Sequence, residues 1–397
     1  MGLRHVDFKR ILKLPRRSFF LFGPRGVGKS TWLRQVLPAN TIFFDLLSNA
    51  TYLELSRTPE ILENLLEGVK EQERWVCIDE IQRVPELLNE VHRLIENKKI
   101  KFALSGSSAR KLKRGGANLL AGRAVTRSLE SFSAEELEEK FNLKKALEWG
   151  TLPLVYLNPN DAADILESYV ATYIREEIKE EGLVRKVEPF LRFLEVAGLL
   201  NGQQLNLNNI AREVGVPRNT VETYFSILED TLVAFRLPAY RPGVKVRERS
   251  HPKFYWFDPG VARGAAGLLR DPLNPLWLGN ALETYLYHEL RVYNQTHEKH
   301  RKIAYYRTPA GSEIDFIIET KKRSLNTPAH VIALEIKSSK KWDRKWEKAL
   351  HEFTQSKSLK VKGIYGVYLG EKVYNFGDIK ILPAEEFLKR LYRGDIF

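Results

Sequence analysis

The stretch Gly23-Pro24-Arg25-Gly26-Val27-Gly28-Lys29-Ser30 decides the fold of the first third of this chain. It satisfies the phosphate-cradling loop pattern in full, and its flanks supply the context that the pattern alone lacks. Phe19-Phe20-Leu21-Phe22 reads as a buried strand, and Thr31-Trp32-Leu33-Arg34-Gln35-Val36-Leu37 as an amphipathic helix whose N-terminus faces the loop. The glycines let backbone N–H groups close around phosphates, Lys29 neutralises the β- and γ-phosphates, and Ser30 offers a hydroxyl to Mg²⁺. Gly23 to Thr31 are therefore expected to bind a nucleoside triphosphate, ATP with Mg²⁺.

The second half of such a site needs an apolar strand ending in acid, and Trp75-Val76-Cys77-Ile78-Asp79-Glu80 provides it. Asp79 is expected at the metal and Glu80 at the attacking water, an arrangement that favours hydrolysis over binding alone. The next apolar strand, Lys101-Phe102-Ala103-Leu104, runs into Ser105-Gly106-Ser107-Ser108, where Ser107 or Ser108 is the candidate sensor of the γ-phosphate. Between Lys98 and Ser128 there is no acid, while Lys99, Lys101, Arg110, Lys111, Lys113, Arg114, Arg123 and Arg127 accumulate. Arg123 is the candidate arginine finger toward a second subunit, and it implies a homo-oligomer.

A length of 397 residues exceeds one compact core and suggests about three domains. The single cysteine, Cys77, rules out a disulfide framework and a cysteine-based zinc site, and implies a reducing, cytoplasmic setting. No apolar run reaches the roughly 18 residues that a spanning helix needs, and the opening residues carry neither a secretory nor an acylation signal. The formal net charge of +13 points to a polyanionic partner, with basic clusters at Lys9, Arg10, Lys13, Arg16 and Arg17 and at Arg241, Lys245, Arg247, Arg249 and Lys253.

From Ser133 to about residue 200 helical patterns dominate, broken at Pro153, Pro159 and Pro189, as a lid over the nucleotide would require. Leu205 to Leu232 reads as two short helices about Gly215-Val216-Pro217, followed by strands Thr231–Leu237 and Lys253–Phe257. This is the pattern of a winged helix-turn-helix, with Arg218, Asn219, Thr220 and Tyr224 facing DNA and Arg247 and Arg249 in the wing. The same module also docks proteins. In the last region, a helix carrying Glu283, a strand carrying Asp315 and a strand ending Glu335-Ile336-Lys337 follow one another. Side chains two apart on a strand share a face, so Glu335 and Lys337 are expected to meet Asp315. Glu283, Asp315 and Glu335 would hold Mg²⁺ or Mn²⁺ while Lys337 stabilises charge on a phosphorane. A nuclease-like core can also persist without cutting.

The order of these motifs resembles the prokaryotic AAA-type P-loop ATPases that carry a winged helix and a C-terminal restriction-endonuclease-like domain. The marks are Gly23 to Ser30, Cys77 to Glu80, Ser105 to Ser108, Leu120 to Arg123, Phe254 to Ala262, and Asp315 with Glu335 and Lys337. The resemblance covers nearly the whole chain and implies an ATPase with a DNA-linked role. One departure is the absence of Gln-x-x-x-Tyr after the Glu-x-Lys strand, a feature of the RecB-like branch. The expected architecture is α/β throughout: an ATPase core over 1–130, a helical lid over 131–200, a winged helix over 201–262 and a nuclease-like domain over 263–397. Three functions fit: a DNA motor of translocase, helicase or branch-migration type, an ATP-switched DNA-binding regulator or defence protein with a non-cleaving nuclease-like domain, and a protein-remodelling ATPase.

Overall fold

The computed structural model describes residues 8–66, 75–108, 120, 122–174, 187–241, 251–307, 311–324, 327–355 and 359–397. Five parallel strands open the chain: β1 (Phe19–Phe22), β2 (Ile42–Asp45), β3 (Trp75–Asp79), β4 (Lys101–Gly106) and β5 (Val125–Ser128), in the order β2-β3-β4-β1-β5. Alternation within the apolar runs feeds two cores. Phe20, Phe22, Ile78 and Leu104 pack on one face, and Phe19, Leu21, Cys77 and Ala103 on the other. A strand buried on both faces must read as continuous apolar sequence, which is why Phe19–Phe22 lacks polar alternation.

The helical region that follows begins at Ser133, whose hydroxyl and the side chain of Glu136 cap each other's backbone N–H groups. It is tied to residues far ahead through Asp258. This carboxylate caps the helix Pro259–Ala265 by accepting from Gly260 N and Val261 N, and its other oxygen accepts from Thr151 N at 2.8 Å. Gly260 is required there, since a Cβ would lie 2.0 Å from the carbonyl oxygen of Trp149. Thus the Phe254 to Ala262 motif is a joint between segments.

Two helices, Leu207–Val214 and Arg218–Asp230, pack against Val187–Leu199 and lead into the antiparallel ribbon β6 (Ala234–Leu237) and β7 (Lys253–Trp256). The expected strand from Thr231 starts three residues later, because Thr231 to Val233 close the preceding helix through bonds to Ile227, Leu228 and Glu229. The C-terminal part is a mixed sheet, β12-β13-β11-β10-β9-β8, from β8 (Lys302–Arg307), β9 (Glu313–Lys321), β10 (Ala329–Lys337), β11 (Leu359–Tyr368), β12 (Tyr374–Phe376) and β13 (Ile379–Pro383). The long helix Pro275–Thr296 and the last helix, Ala384–Arg393, bury Phe316, Leu334 and Val367 on one face, and Lys348–Thr354 covers Ile317 and Ala333 on the other.

The long helix also fastens this sheet to the parallel one. Arg291 pairs with Glu130 at 2.6 Å, Gln295 donates to Ser128 O, and the fully buried Glu289 accepts from Ala134 N at 2.7 Å and from the Tyr392 hydroxyl at 2.6 Å. Burial pushes the Glu289 carboxyl up to about 7. A carboxyl whose folded pKa is raised contributes stability that is complete below its unfolded value and is lost as pH rises through the folded one. About 3 kcal/mol is at stake between pH 4.5 and 7. Melting temperature is therefore expected to fall from pH 5 to pH 8, and Glu289→Gln, neutral throughout, to flatten part of that slope. A Gln variant with the wild-type slope would remove Glu289 as a source.

Candidate active site

Because β4 lies between β1 and β3, the C-terminal ends of all three strands stand side by side. The loop after β1, the acids after β3 and the serines after β4 are thereby gathered at one edge, the position where open α/β sheets bind ligands. Gly26 and Gly28 have φ of 82° and 89°, left-handed values that favour glycine, and Gly28 starts the helix Lys29–Val36. The Lys29 ammonium donates to the carbonyls of Gly23 at 2.9 Å and Pro24 at 3.2 Å, so it lies folded under the loop. Val27 is buried and anchors the loop, while Arg25 and Thr31 are exposed.

Asp79 ends β3 and is buried, and its carboxylate accepts from the Ser105 hydroxyl. Glu80 turns the chain with φ 60°, a left-handed conformation that is costly for a side chain with a Cβ and that swings the carboxylate out of strand register. Gln82, buried, donates through Nε2 both to Glu80 Oε2 and, at 3.2 Å, to Ser107 Oγ, while its Oε1 meets no hydrogen-bond partner among the described residues. One amide thus couples the acid after β3 to the serine after β4. The only hint in sequence is a polar residue between the apolar Ile81 and Val84.

Two more residues reach the loop from a distance. Tyr169 donates its hydroxyl to Arg25 O at 2.9 Å, and Arg10 donates to Val27 O at 3.0 Å and to Glu130 O, with Glu136 as its ion partner. Arg10 was expected in a polyanion-facing cluster; its guanidinium is instead consumed in binding the loop to residues 130–136. Lys9, Lys13, Arg16 and Arg17 remain exposed.

Arg123 pairs with Glu96. It precedes β5, whose first residue Val125 pairs with Phe19, the first residue of β1. The phosphate loop follows the last residue of β1, so Arg123 lies toward the opposite end of the sheet from its own loop. Of the other basic residues expected there, Arg110, Lys111, Lys113 and Arg114 lie outside the described residues.

The DNA-facing set divides. Arg218 and Asn219 are exposed at the start of the helix Arg218–Asp230 and Thr220 is half-buried. Tyr224 is not on that face. It is 5% exposed and sits edge-on to Phe190 at 5.0 Å and against Phe193 at 5.2 Å, a core position shared with Val221, Phe225 and Leu228. Arg247 and Arg249 lie outside the described residues.

Glu283 and Asp315 come together around Lys253, which the sequence reading groups with a basic cluster at the start of a strand, while Glu335 pairs with Lys337 beside Asp315. The Lys253 ammonium, on a side chain only 4% exposed, lies 2.5 Å from Glu313 Oε1 and 3.4 Å from both Glu283 Oε2 and Asp315 Oδ1. Burial by itself would lower the Lys253 pKa, yet the surrounding Tyr255, Glu283, Asp315 and Glu313 outweigh it and hold the amine well above its ordinary value. Tyr255 donates to Glu283 Oε2 at 2.9 Å, and Asp315 Oδ2 accepts from Ile336 N at 2.7 Å. Lys337 pairs with Glu335 Oε1 and stands 4.0 Å from Asp315 Oδ2, leaving Glu335 Oε2 buried without a hydrogen bond among the described residues. Burial and the neighbouring Asp315 raise both Glu283 and Glu335. Among the described residues no group of three His, Cys, Asp or Glu is placed to hold a metal ion, so the expected Mg²⁺ or Mn²⁺ set does not fit as it stands.

Comparison with known proteins assigns parts of the chain. Residues 15–138 match the family described as AAA domain, residues 140–272 a domain of unknown function, DUF8612, and residues 278–387 a domain of unknown function, DUF4143. No curated protein matches the chain. Among solved structures, the ORC1 protein of Aeropyrum pernix in complex with DNA is similar at 13% identity and a TM-score of 0.29, over 65% of this chain and 88% of that one. A DNA polymerase III gamma subunit-related protein of Thermotoga maritima is similar at 11% identity and a TM-score of 0.21, over 54% and 93%. The family match, with the five-stranded parallel sheet, makes residues 15–138 a P-loop domain of AAA type. Among the described residues no helix is long and apolar enough to cross a membrane.

Proposed function

We propose that the chain is an ATP-hydrolysing AAA-type protein that acts on DNA. The observation that carries the hydrolytic part is the meeting of the Gly23–Ser30 loop, Asp79 with Glu80, and Ser107 at one edge of a parallel sheet. Backbone N–H groups from Gly23 to Thr31 would cradle the phosphates, and Lys29 would exchange its carbonyl partners for β- and γ-phosphate oxygens. Ser30 and Asp79 would hold Mg²⁺, which neutralises phosphate charge. Glu80 would orient the attacking water, with Gln82 fixing its carboxylate relative to Ser107, the group that would read the γ-phosphate. Since Arg123 lies away from its own loop, it would act on the nucleotide of a second copy in a homo-oligomer.

The DNA part rests on the net charge of +13 and on the exposed Arg218 and Asn219 at the start of the second helix of a helix pair followed by a ribbon, an arrangement we read as a winged helix. The test is ATP turnover against duplex and branched DNA. DNA is expected to stimulate turnover, and Arg218→Ala with Asn219→Ala to weaken DNA binding roughly tenfold while leaving turnover without DNA intact. Turnover indifferent to every DNA would instead favour remodelling of proteins. ATP-dependent strand separation or branch migration would mark a motor; stimulation without either would mark a switch that resets on DNA.

A further inference from the structure

We propose that Lys253 is the built-in cation of the Glu283, Glu313, Asp315 and Glu335 cluster, so that this site takes no divalent metal until the lysine is shortened. An ammonium carries three N–H donors, and three carboxylates, one oxygen each from Glu283, Glu313 and Asp315, lie within 3.4 Å of Nζ. A divalent ion of the Mg²⁺ or Mn²⁺ kind needs carboxylate oxygens at about 2.0–2.2 Å around one point. The carboxylates of Glu283, Glu313 and Asp315 here converge on a nitrogen instead, so the ammonium takes the point where a shared metal ion would sit.

The lysine is well fixed in that place. Its strand neighbour Tyr255, two residues along and on the same side of β7, anchors Glu283, and Gln204, bridged to Lys253 along the backbone, donates to Glu313 Oε2 at 3.1 Å. Removing the ammonium would leave Glu283, Glu313 and Asp315 without the cation they share, with Lys337 paired to Glu335 and 4.0 Å from Asp315, an arrangement that favours a replacement cation. Glu335 Oε2, buried and without a hydrogen bond among the described residues, supplies one oxygen that such a cation could use at once. The inference stands whether or not the chain hydrolyses ATP or binds DNA.

The experiment is Mn²⁺ binding by the full chain without nucleotide, read as ions per chain by calorimetry and by paramagnetic resonance. Wild type and Asp315→Asn are expected to bind the same number of Mn²⁺ ions. Lys253→Ala is expected to bind one more, with a melting temperature that Mn²⁺ raises and K⁺ does not, and the gain is expected to vanish in Lys253→Ala with Asp315→Asn. The proposal is overturned if Asp315→Asn loses an ion from the wild-type count, because metal then enters beside Lys253. It is overturned equally if folded Lys253→Ala gains none. Should Lys253→Ala not fold even with Mn²⁺, the comparison of wild type with Asp315→Asn decides by itself: equal counts support the proposal and a lost ion sinks it.

Discussion

Lys29→Ala is expected to lower ATP turnover by at least roughly 100-fold, the scale on which a lost charge beside a transferring phosphoryl group is felt. The side chain is buried under the loop and bonded to the carbonyls of Gly23 and Pro24, so its position is set before any phosphate arrives. An alanine there keeps the helix Lys29–Val36, since alanine is a good helix former, and removes the single positive charge at the helix start. The two carbonyls left behind are backbone acceptors that water can serve. The loss should therefore appear in turnover and in nucleotide affinity, with melting temperature nearly unchanged. Phosphate release and a thermal melt of the same preparation separate the two. Wild-type turnover in a folded Lys29→Ala protein would remove the nucleotide site from the loop altogether.

The parts of the molecule that could be read in sequence are those whose cause is local. Phe19–Phe22 and Trp75–Asp79 declare themselves as strands buried on two faces, and Gly26 and Gly28 answer left-handed backbone positions of their own. Position after a strand end likewise places Ser107 and Ser108 just beyond β4, beside the acids after β3. What stayed hidden depends on distant partners. Lys253 was grouped with Arg241 and Arg249 because charge runs are visible along the chain, while its real neighbour Asp315 is 62 residues away. Arg10 was misplaced for the same reason, its acceptors lying 17, 120 and 126 residues on. Tyr224 is a different kind of miss. The spacing Val221, Tyr224, Phe225, Leu228 is a helical core stripe present in the sequence, and the expectation of a recognition helix overrode it.

Glu80→Gln is expected to cut hydrolysis by about 100-fold or more while ATP binding persists, because in the proposed scheme it removes only the oxygen that would orient the attacking water. Glutamine matches glutamate in shape, so the left-handed turn at Glu80 and the contact with Gln82 survive in the variant. This sets it apart from Lys29→Ala, which should lose affinity as well. Gln82→Ala makes a finer test of the same arrangement. Gln82 would touch neither phosphate nor water in this scheme; it holds the Glu80 carboxylate at a fixed place relative to Ser107. Its loss should lower kcat by about tenfold with KM little changed, and in the Glu80→Gln background it should cost almost nothing more, since two residues acting through one atom are not additive. Single-turnover hydrolysis and binding of a fluorescent ATP analogue measure both quantities. If Gln82→Ala reduced kcat equally in both backgrounds, Gln82 would act independently of Glu80 and the coupling drawn from the structure would be wrong.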